Sequence, residues 1–381
     1  MITVLALMLA GVAPPPPPAP AVDHGLPAPL LGIADDAARS RATVEGELVA
    51  GGAARFSEEA EPGLAFVLER AELGGHFRSP PGFEAALTLE AVRSAGAQSA
   101  FGIDGNSLLP RFKHAWAGLD LSFSVLDVPL SATLQVGLVS EPWLLRLEPF
   151  LGTRALGPLA SDDAGLLDPS DLGVNGGLSL AGGLVAVDLS VRNGEGKREI
   201  ELNADKDVVA VVSTGHELRL LEDRLDLAAM VMARHGTRGI SSAPEERVAL
   251  GAGVRHARFH SGGELQWARG DEGDAGRDRV LAALFGDVTL LPRWLGVAGR
   301  GALDFTEAKL PETAIVAGSL AFFTELGHDG QGALPRIRVL GGAAGRWAEP
   351  GAALAGMPAA ASELRLFLLL EAGARAEALA P

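Results

Sequence analysis

From residue 40 onward, apolar and polar residues alternate in short runs separated by Gly, Pro, Asp and Asn. The run 183–193 shows the pattern well: Val185, Val187, Leu189 and Val191 share one face, and Ala186, Asp188, Ser190 and Arg192 the other. A period of two places successive side chains on opposite faces of a strand, one toward an apolar medium and one toward water. In 82–93, Phe83, Ala85, Leu87, Leu89 and Ala91 oppose Glu84, Ala86, Thr88 and Glu90. In 111–125, Ala115, Ala117, Leu119, Leu121 and Phe123 oppose His114, Asp120, Ser122 and Ser124.

The same reading predicts strands over 42–50, 64–77, 82–93, 111–125, 129–139, 171–180, 183–193 and 207–217. It continues with 222–233, 246–257, 258–269, 279–290, 294–305, 313–326, 334–345 and 362–373. These make about sixteen strands of roughly 9–14 residues, longer than the usual ~5–6. A length of ~9–11 is what a tilted strand needs to cross a bilayer. The breaks alternate between short and long, as turns and outer loops of a membrane barrel do. Residues 140–169 interrupt the rhythm with Pro, Gly, Asp and Leu in no clean period.

Amphipathic helices do not alternate with the strands, which disfavours a doubly wound sheet. A blade-length repeat is also missing, which disfavours a propeller. The predicted fold is all-β: a single closed antiparallel transmembrane β-barrel of about sixteen strands in meander order, wide enough for an aqueous channel. Stacked soluble sandwiches are the alternative, because alternation alone does not say what the apolar face touches.

Composition narrows the choice. The chain has 48 acidic and 32 basic residues, a net charge of −16, which argues against affinity for nucleic acid. Cysteine is absent, which removes disulfides, thiolate metal ligands, a thiol nucleophile and an N-terminal lipid-bearing Cys. Residues 1–13, MITVLALMLAGVA, resemble a signal peptide without its basic n-region, and 14–39 read as a Pro-rich flexible linker. The barrel is expected over 40–381, with no apolar run of ~18 residues that would make a transmembrane helix. Tyr is absent, so an aromatic girdle would rest on Trp143, Trp267, Trp294, Trp347, Phe123, Phe259 and Phe305. The C-terminus carries no aromatic residue closing the last strand; impaired recognition by barrel-assembly machinery and an overrun of the last strand are the two readings.

Several short motifs carry a resemblance. Asp171-Leu172-Gly173 opens a strand, a Gly turn follows, Asn193 to Gly196 forms a loop, and Lys206-Asp207 opens the next strand. Together with ERAELGG (69–75), LPRFKHAWAGLDL (109–121), LSATLQVGLVSEPW (130–143) and SELRLFLLL (362–370), this looks like the phosphate-selective porin family. The resemblance spans roughly 40–375. It implies a sixteen-stranded, trimeric outer-membrane barrel with a passive diffusion pore, narrowed by the segment after the fifth strand. Outer-membrane lipid, small hydrophilic solutes and a homotrimeric partner are the contacts it implies.

Charge does not follow that family's anion preference. Phosphate passage needs a ladder of Arg and Lys to replace hydration. The candidate constriction, 140–169, offers Arg146 and Arg154 against Glu141, Glu148, Asp162, Asp163 and Asp168. Other candidate pore-lining residues are Arg192, Arg224, Arg336, Arg338 and Arg365, mixed with Glu84, Glu90, Asp188, Asp226 and Glu264. A weakly selective or cation-leaning pore is therefore expected.

The sequence shows no catalytic signature: HExxH and GxSxG are missing, and Gly194-Glu195-Gly196-Lys197 lacks the spacing of a phosphate-binding loop. His256 and His260 flank a turn expected near Arg258, and Asp271, Glu272, Asp274 and Asp278 lack a calcium-loop spacing. No enzyme activity, cofactor or metal is expected. A porin-like channel is the leading expectation. An exported soluble all-β binding or structural protein, or a barrel plugged by 140–169, is the alternative.

Overall fold

The computed structural model describes residues 40–57, 62–94, 107–194, 205–220, 223–238, 243–270, 277–292, 294–306, 308, 313–326, 336–348 and 363–379. The expected signal peptide and linker, residues 195–197 of the 193–197 motif, and Asp271, Glu272 and Asp274 lie outside them.

Among the described residues sixteen strands form one closed barrel. They are β1 (Arg41–Ser57), β2 (Gly63–Ser79), β3 (Phe83–Ser94), β4 (Ser107–Val125) and β5 (Val128–Ser140). Then come β6 (Ser170–Leu180), β7 (Val185–Arg192), β8 (Asp207–Leu220), β9 (Asp223–Arg238), β10 (Ala243–His256) and β11 (Phe259–Arg269). The circuit ends with β12 (Asp278–Leu291), β13 (Leu295–Phe305), β14 (Ala314–Leu326), β15 (Arg336–Ala348) and β16 (Glu363–Leu379). Each strand pairs with its chain neighbours, and β16 returns to β1. A sheet closed on itself replaces the stacked-sandwich alternative and has no open edge.

Every predicted strand falls on an observed one. The largest shift is at the ends, where β1 runs on to Ser57 and β16 to Leu379. Gly51 and Gly52 blur the alternation in β1, but pairing with β16 from Ala50↔Leu370 to Ser57↔Glu363 keeps that stretch extended. Of the two readings of the C-terminus, the overrun does not describe Gly373 to Leu379, which belong to β16 and pair with Glu47 back to Arg41.

The alternation translates into an outer apolar face and a mostly polar inner face. On β7, Val185, Leu189 and Val191 lie outside and exposed, while Ala186, Ser190 and Arg192 are buried inside. Leu64 and Phe66 on β2 are 85% and 91% exposed, and Leu284 on β12 is 73% exposed. A belt of this extent is unfavourable in water and favourable in lipid. Trp267, Trp294, Trp347 and Phe123 contribute exposed aromatic rings to it. Trp143 does not, because it is fully buried inside the barrel.

Three register irregularities interrupt the pairing among the described residues. One of them lies at Thr289/Leu291 between β12 and β13, and the other two shift the inner face. One falls in the β1–β2 pairing at Val49/Ala50. In the other, Thr88 pairs with His114 and Leu89 with Phe112, which leaves Lys113 as the extra residue. Both Lys113 and His114 are consequently buried on the inside.

The connections sort by end. One end has 80–82, 126–127, 181–184, 221–222, 257–258, 292–294 and the longer 327–335. The other has 58–62, 95–106, 141–169, 193–206, 239–242, 270–277, 306–313 and 349–362. The 141–169 segment therefore starts from the long-loop end, and it folds into the barrel.

Candidate functional site

The inner segment contains two short helices, α1 (Pro142–Leu147) and α2 (Ala160–Asp163). Glu141 starts α1: its carboxylate accepts from Trp143 N at 3.4 Å, and Pro142 fills a position where an N–H would have no helical partner. Glu141 is fully buried and ion-paired to Arg192 of β7, which fixes the root of the segment to the wall. Beside it Asp171 accepts from Gly194 N at 2.6 Å, so the DLG and NG motifs meet.

Packing holds the segment against β8 to β12. Trp143, Leu147, Phe150, Leu151, Leu159 and Leu167 bury against Val209, Val211, Met230, Met232, Ala249 and Phe285. The inner face is therefore apolar here, where the sequence reading expected it to be wet. The rings fit because β10 presents glycine: a Cβ at Gly251 would come within 2.8 Å of Trp143, and one at Gly253 within 2.3 Å of Phe150. Ala155 reaches a second cluster with Val49, Ala298, Ala321, Phe323, Leu340, Phe367 and Leu369. The segment thus contacts the wall from β7 round to β16 and β1.

Polar struts complete the anchoring. Glu264 of β11 accepts from Trp143 Nε1 at 3.1 Å and from Ser161 N at 3.0 Å. Arg146 makes a bidentate pair with Asp188 at 2.7 and 2.8 Å. Arg300 donates to Pro158 O and Asp163, both at 2.6 Å, and Arg279 to Ala164 O at 2.9 Å. Arg338 donates to Gly152 O at 3.3 Å and lies over the Phe323 ring, 4.8 Å from its centroid. Thr153 donates to Glu371 of β16 at 3.1 Å.

Opposite this anchored flank, the segment faces β1, β2 and β4 through a run of alternating charges. Lys113 Nζ is 2.9 Å from Glu72, and Arg70 is 3.2 Å from the same oxygen. Arg70 lies 3.8 Å from Glu47, Arg154 lies 4.0 Å from that oxygen of Glu47, and Arg154 donates to Glu148 at 2.5 Å. Burial pushes the Glu148 carboxyl up, but Arg154, Lys113 and Arg70 outweigh it and hold it below the usual carboxylate range. Burial also acts to lower Arg154; Glu148, Glu47 and Glu72 reverse that and keep its guanidinium charged.

The candidate residues named from sequence disperse over this architecture. Arg146 meets Asp188, and Arg224 meets Asp226 at 2.7 Å at the short-turn end, with Arg255 on the other oxygen at 2.8 Å. Glu84 lies 3.4 Å from Arg78, and Glu90 lies 2.7 Å from Arg111. Arg192 and Arg338 brace the segment, Arg365 pairs with Glu69, and Arg336 opens β15 opposite Gly373. Of the charged residues named from sequence, Arg154 and Glu148 join the charge run just described. Glu47, Arg70, Glu72 and Lys113 escaped the sequence reading. Strand phase carries a signal for Glu47 and Glu72, but the bulge puts Lys113 on the inside against its phase. No group of His, Asp and Glu among the described residues is arranged to hold a metal ion.

No family model matches the sequence, and no curated protein matches it. Solved structures do. The chain is similar to the outer membrane channel DcaP of Acinetobacter baumannii, at 13% identity and a TM-score of 0.56, over 90% of this chain and 100% of that one. It is similar to OmpF of Salmonella typhi at 9% identity and a TM-score of 0.55, over 89% and 99%. An anion-selective porin from Comamonas acidovorans gives 12% identity and a TM-score of 0.52, over 88% and 99%. At these identities the likeness is one of fold. The architecture is that of the outer-membrane porins: a sixteen-stranded antiparallel meander barrel.

Proposed function

We propose that this protein is an outer-membrane channel for passive diffusion of small hydrophilic solutes or ions. The observation that carries this reading is the inner segment, which is braced against β7 to β16 and turns a charged edge toward β1, β2 and β4. An apolar filling throughout would have favoured a plug; charged side chains on both sides of one flank favour a wet path there. The apolar outer belt supports placement in the outer membrane, reached by export through the periplasm. The porin fold and the motif resemblance support assembly as a homotrimer, for which sizing in detergent is the direct measurement. The reading gives the chain no catalytic step.

Within that reading the pore is weakly selective or leans toward cations. The motifs resemble those of phosphate-selective porins, but Arg70, Lys113 and Arg154 each have a carboxylate within 4.0 Å. A phosphate passing them would compete with Glu47, Glu72 and Glu148 for the same donors. The purified protein in a planar bilayer is expected to give KCl conductance steps and a near-zero or cation-sided reversal potential across a salt gradient. A strong anion preference would overturn the selectivity, and absence of conductance would overturn the channel.

A further inference from the structure

We propose that Glu47, Arg70 and Arg154 form a binding site for small zwitterions, solutes of the amino-acid class that carry one ammonium and one carboxylate. The proposal rests on the channel reading and names a solute class for it.

The run of charges between the inner segment and the wall is uneven. Lys113–Glu72, Arg70–Glu72 and Arg154–Glu148 close at 2.9, 3.2 and 2.5 Å, all within hydrogen-bond reach. The two links through Glu47, at 3.8 and 4.0 Å, are not. Glu47 thus sits between two guanidiniums and is hydrogen-bonded to neither. Glu47 and Arg154 are the more accessible members, keeping 22% and 21% of their side-chain surface, while Arg70 keeps 12%, close to Lys113 and Glu72 at 10% and 14%.

The flanking groups are held in place. Glu72, itself paired to Lys113, fixes Arg70, and Glu148 fixes Arg154, so both guanidiniums present remaining donors toward Glu47 from set positions. Of the neighbouring carboxylates, Glu371 on β16 is engaged by Thr153, and Glu45 lies two residues from Glu47 on β1.

Charge balance selects the solute. A bare cation at Glu47 meets two guanidiniums, and a bare anion at Arg70 and Arg154 meets Glu47; each enters a site where one of its contacts is repulsive. A zwitterion places its ammonium on Glu47 and its carboxylate across Arg70 and Arg154. Every charge then has a partner and the net charge of the site is unchanged, so no buried ion is left uncompensated.

The test uses the full-length protein in planar bilayers carrying a KCl current, with glycine or β-alanine added at neutral pH and compared with equal concentrations of acetate and of methylammonium. The zwitterions carry no net current, so occupancy appears as saturable loss of KCl conductance. Half-block is expected at a concentration at least about tenfold lower than for either single-charge ion, which corresponds to one additional charged hydrogen bond. Glu47→Gln and Arg154→Gln should each abolish that advantage, with barrel folding checked by heat-modifiable gel migration. Equal block by acetate, or no block by glycine and β-alanine, in wild-type channels that do conduct KCl overturns the inference and leaves the channel standing. A protein that conducts no KCl overturns both. The wild-type comparison involves no variant, so it decides the matter even where a variant does not fold.

Discussion

Glu264 of β11 accepts the indole N–H of Trp143 at 3.1 Å, across 121 positions of chain, and with its other oxygen accepts the backbone N–H of Ser161. One carboxylate in the wall thereby fixes the first and second helices of the inner segment together.

Removing that carboxylate should loosen the segment and leave the barrel intact. Glu264→Ala strands three buried donors, Trp143 Nε1, Ser161 N and Gln266 Nε2, at about 1–3 kcal/mol each. The expected phenotype is noisier and larger conductance with unchanged heat-modifiable migration. A variant that conducts as quietly as the wild type would show that apolar packing alone holds the segment.

Glycine on β10 should prove as important as the rings it receives. Gly253→Val brings a Cβ to within 2.3 Å of the Phe150 ring, a clash the rigid sheet cannot relieve. Overpacking of this kind costs about 1–3 kcal/mol, and here the segment is the part free to move. Protease sensitivity of 141–169 in detergent should rise. A substitution on the outer face of the same strand, Leu250→Val, should leave it unchanged.

Acid should release the Arg154–Glu148 rung. Because Glu148 is held below the usual carboxylate range in the folded protein, its contribution is fully present above the unfolded value of about 4.3 and is lost as pH falls through the lower folded value. The part of the acid response that belongs to Glu148 should be absent from neutral pH down to that window and appear below it. Glu148→Gln should remove this component of the acid response. An identical acid profile in the variant would assign the response to other carboxylates.

Charge on the outer belt should be penalised by depth. Leu284 lies midway along β12, and Leu126 lies in the two-residue turn after β4. Leu284→Arg is expected to cost about 2–4 kcal/mol and Leu126→Arg about 0–1 in lipid vesicles, measured by urea unfolding. Equal costs would mean that the belt does not sit in hydrocarbon.

The strand order was legible because a closed, two-faced sheet writes its inside and outside into alternate residues. Val185 to Arg192 show this, and the structure keeps both of their faces. Three things were hidden. Lys113 lies on the inside because of a bulge, which no periodicity announces. Trp143 looks like a girdle residue by type, but Gly251 and Glu264, distant in sequence, draw it into the lumen. The Glu47–Arg70–Arg154 cluster draws on β1, β2 and the inner segment, so only the register across strands and the path of the segment reveal it. Arg192, a candidate pore-lining residue from its strand phase, is buried on the inner face and paired with Glu141, which makes it a brace.

The pairing of β1 with β16 has a temporal consequence. Glu47 lies opposite Gly373, so the strand that carries it is complete on both sides only when the last strand has docked. Joining the earliest and latest strands is the most non-local contact in the chain and the slowest kind to form. Any assembly intermediate that lacks this seam holds Glu47 on an open edge, unable to face Arg154 in its final geometry. Sealing of the wall and maturation of the charged passage are thus a single event in the life of the molecule, and a barrel caught before it should leak without discrimination.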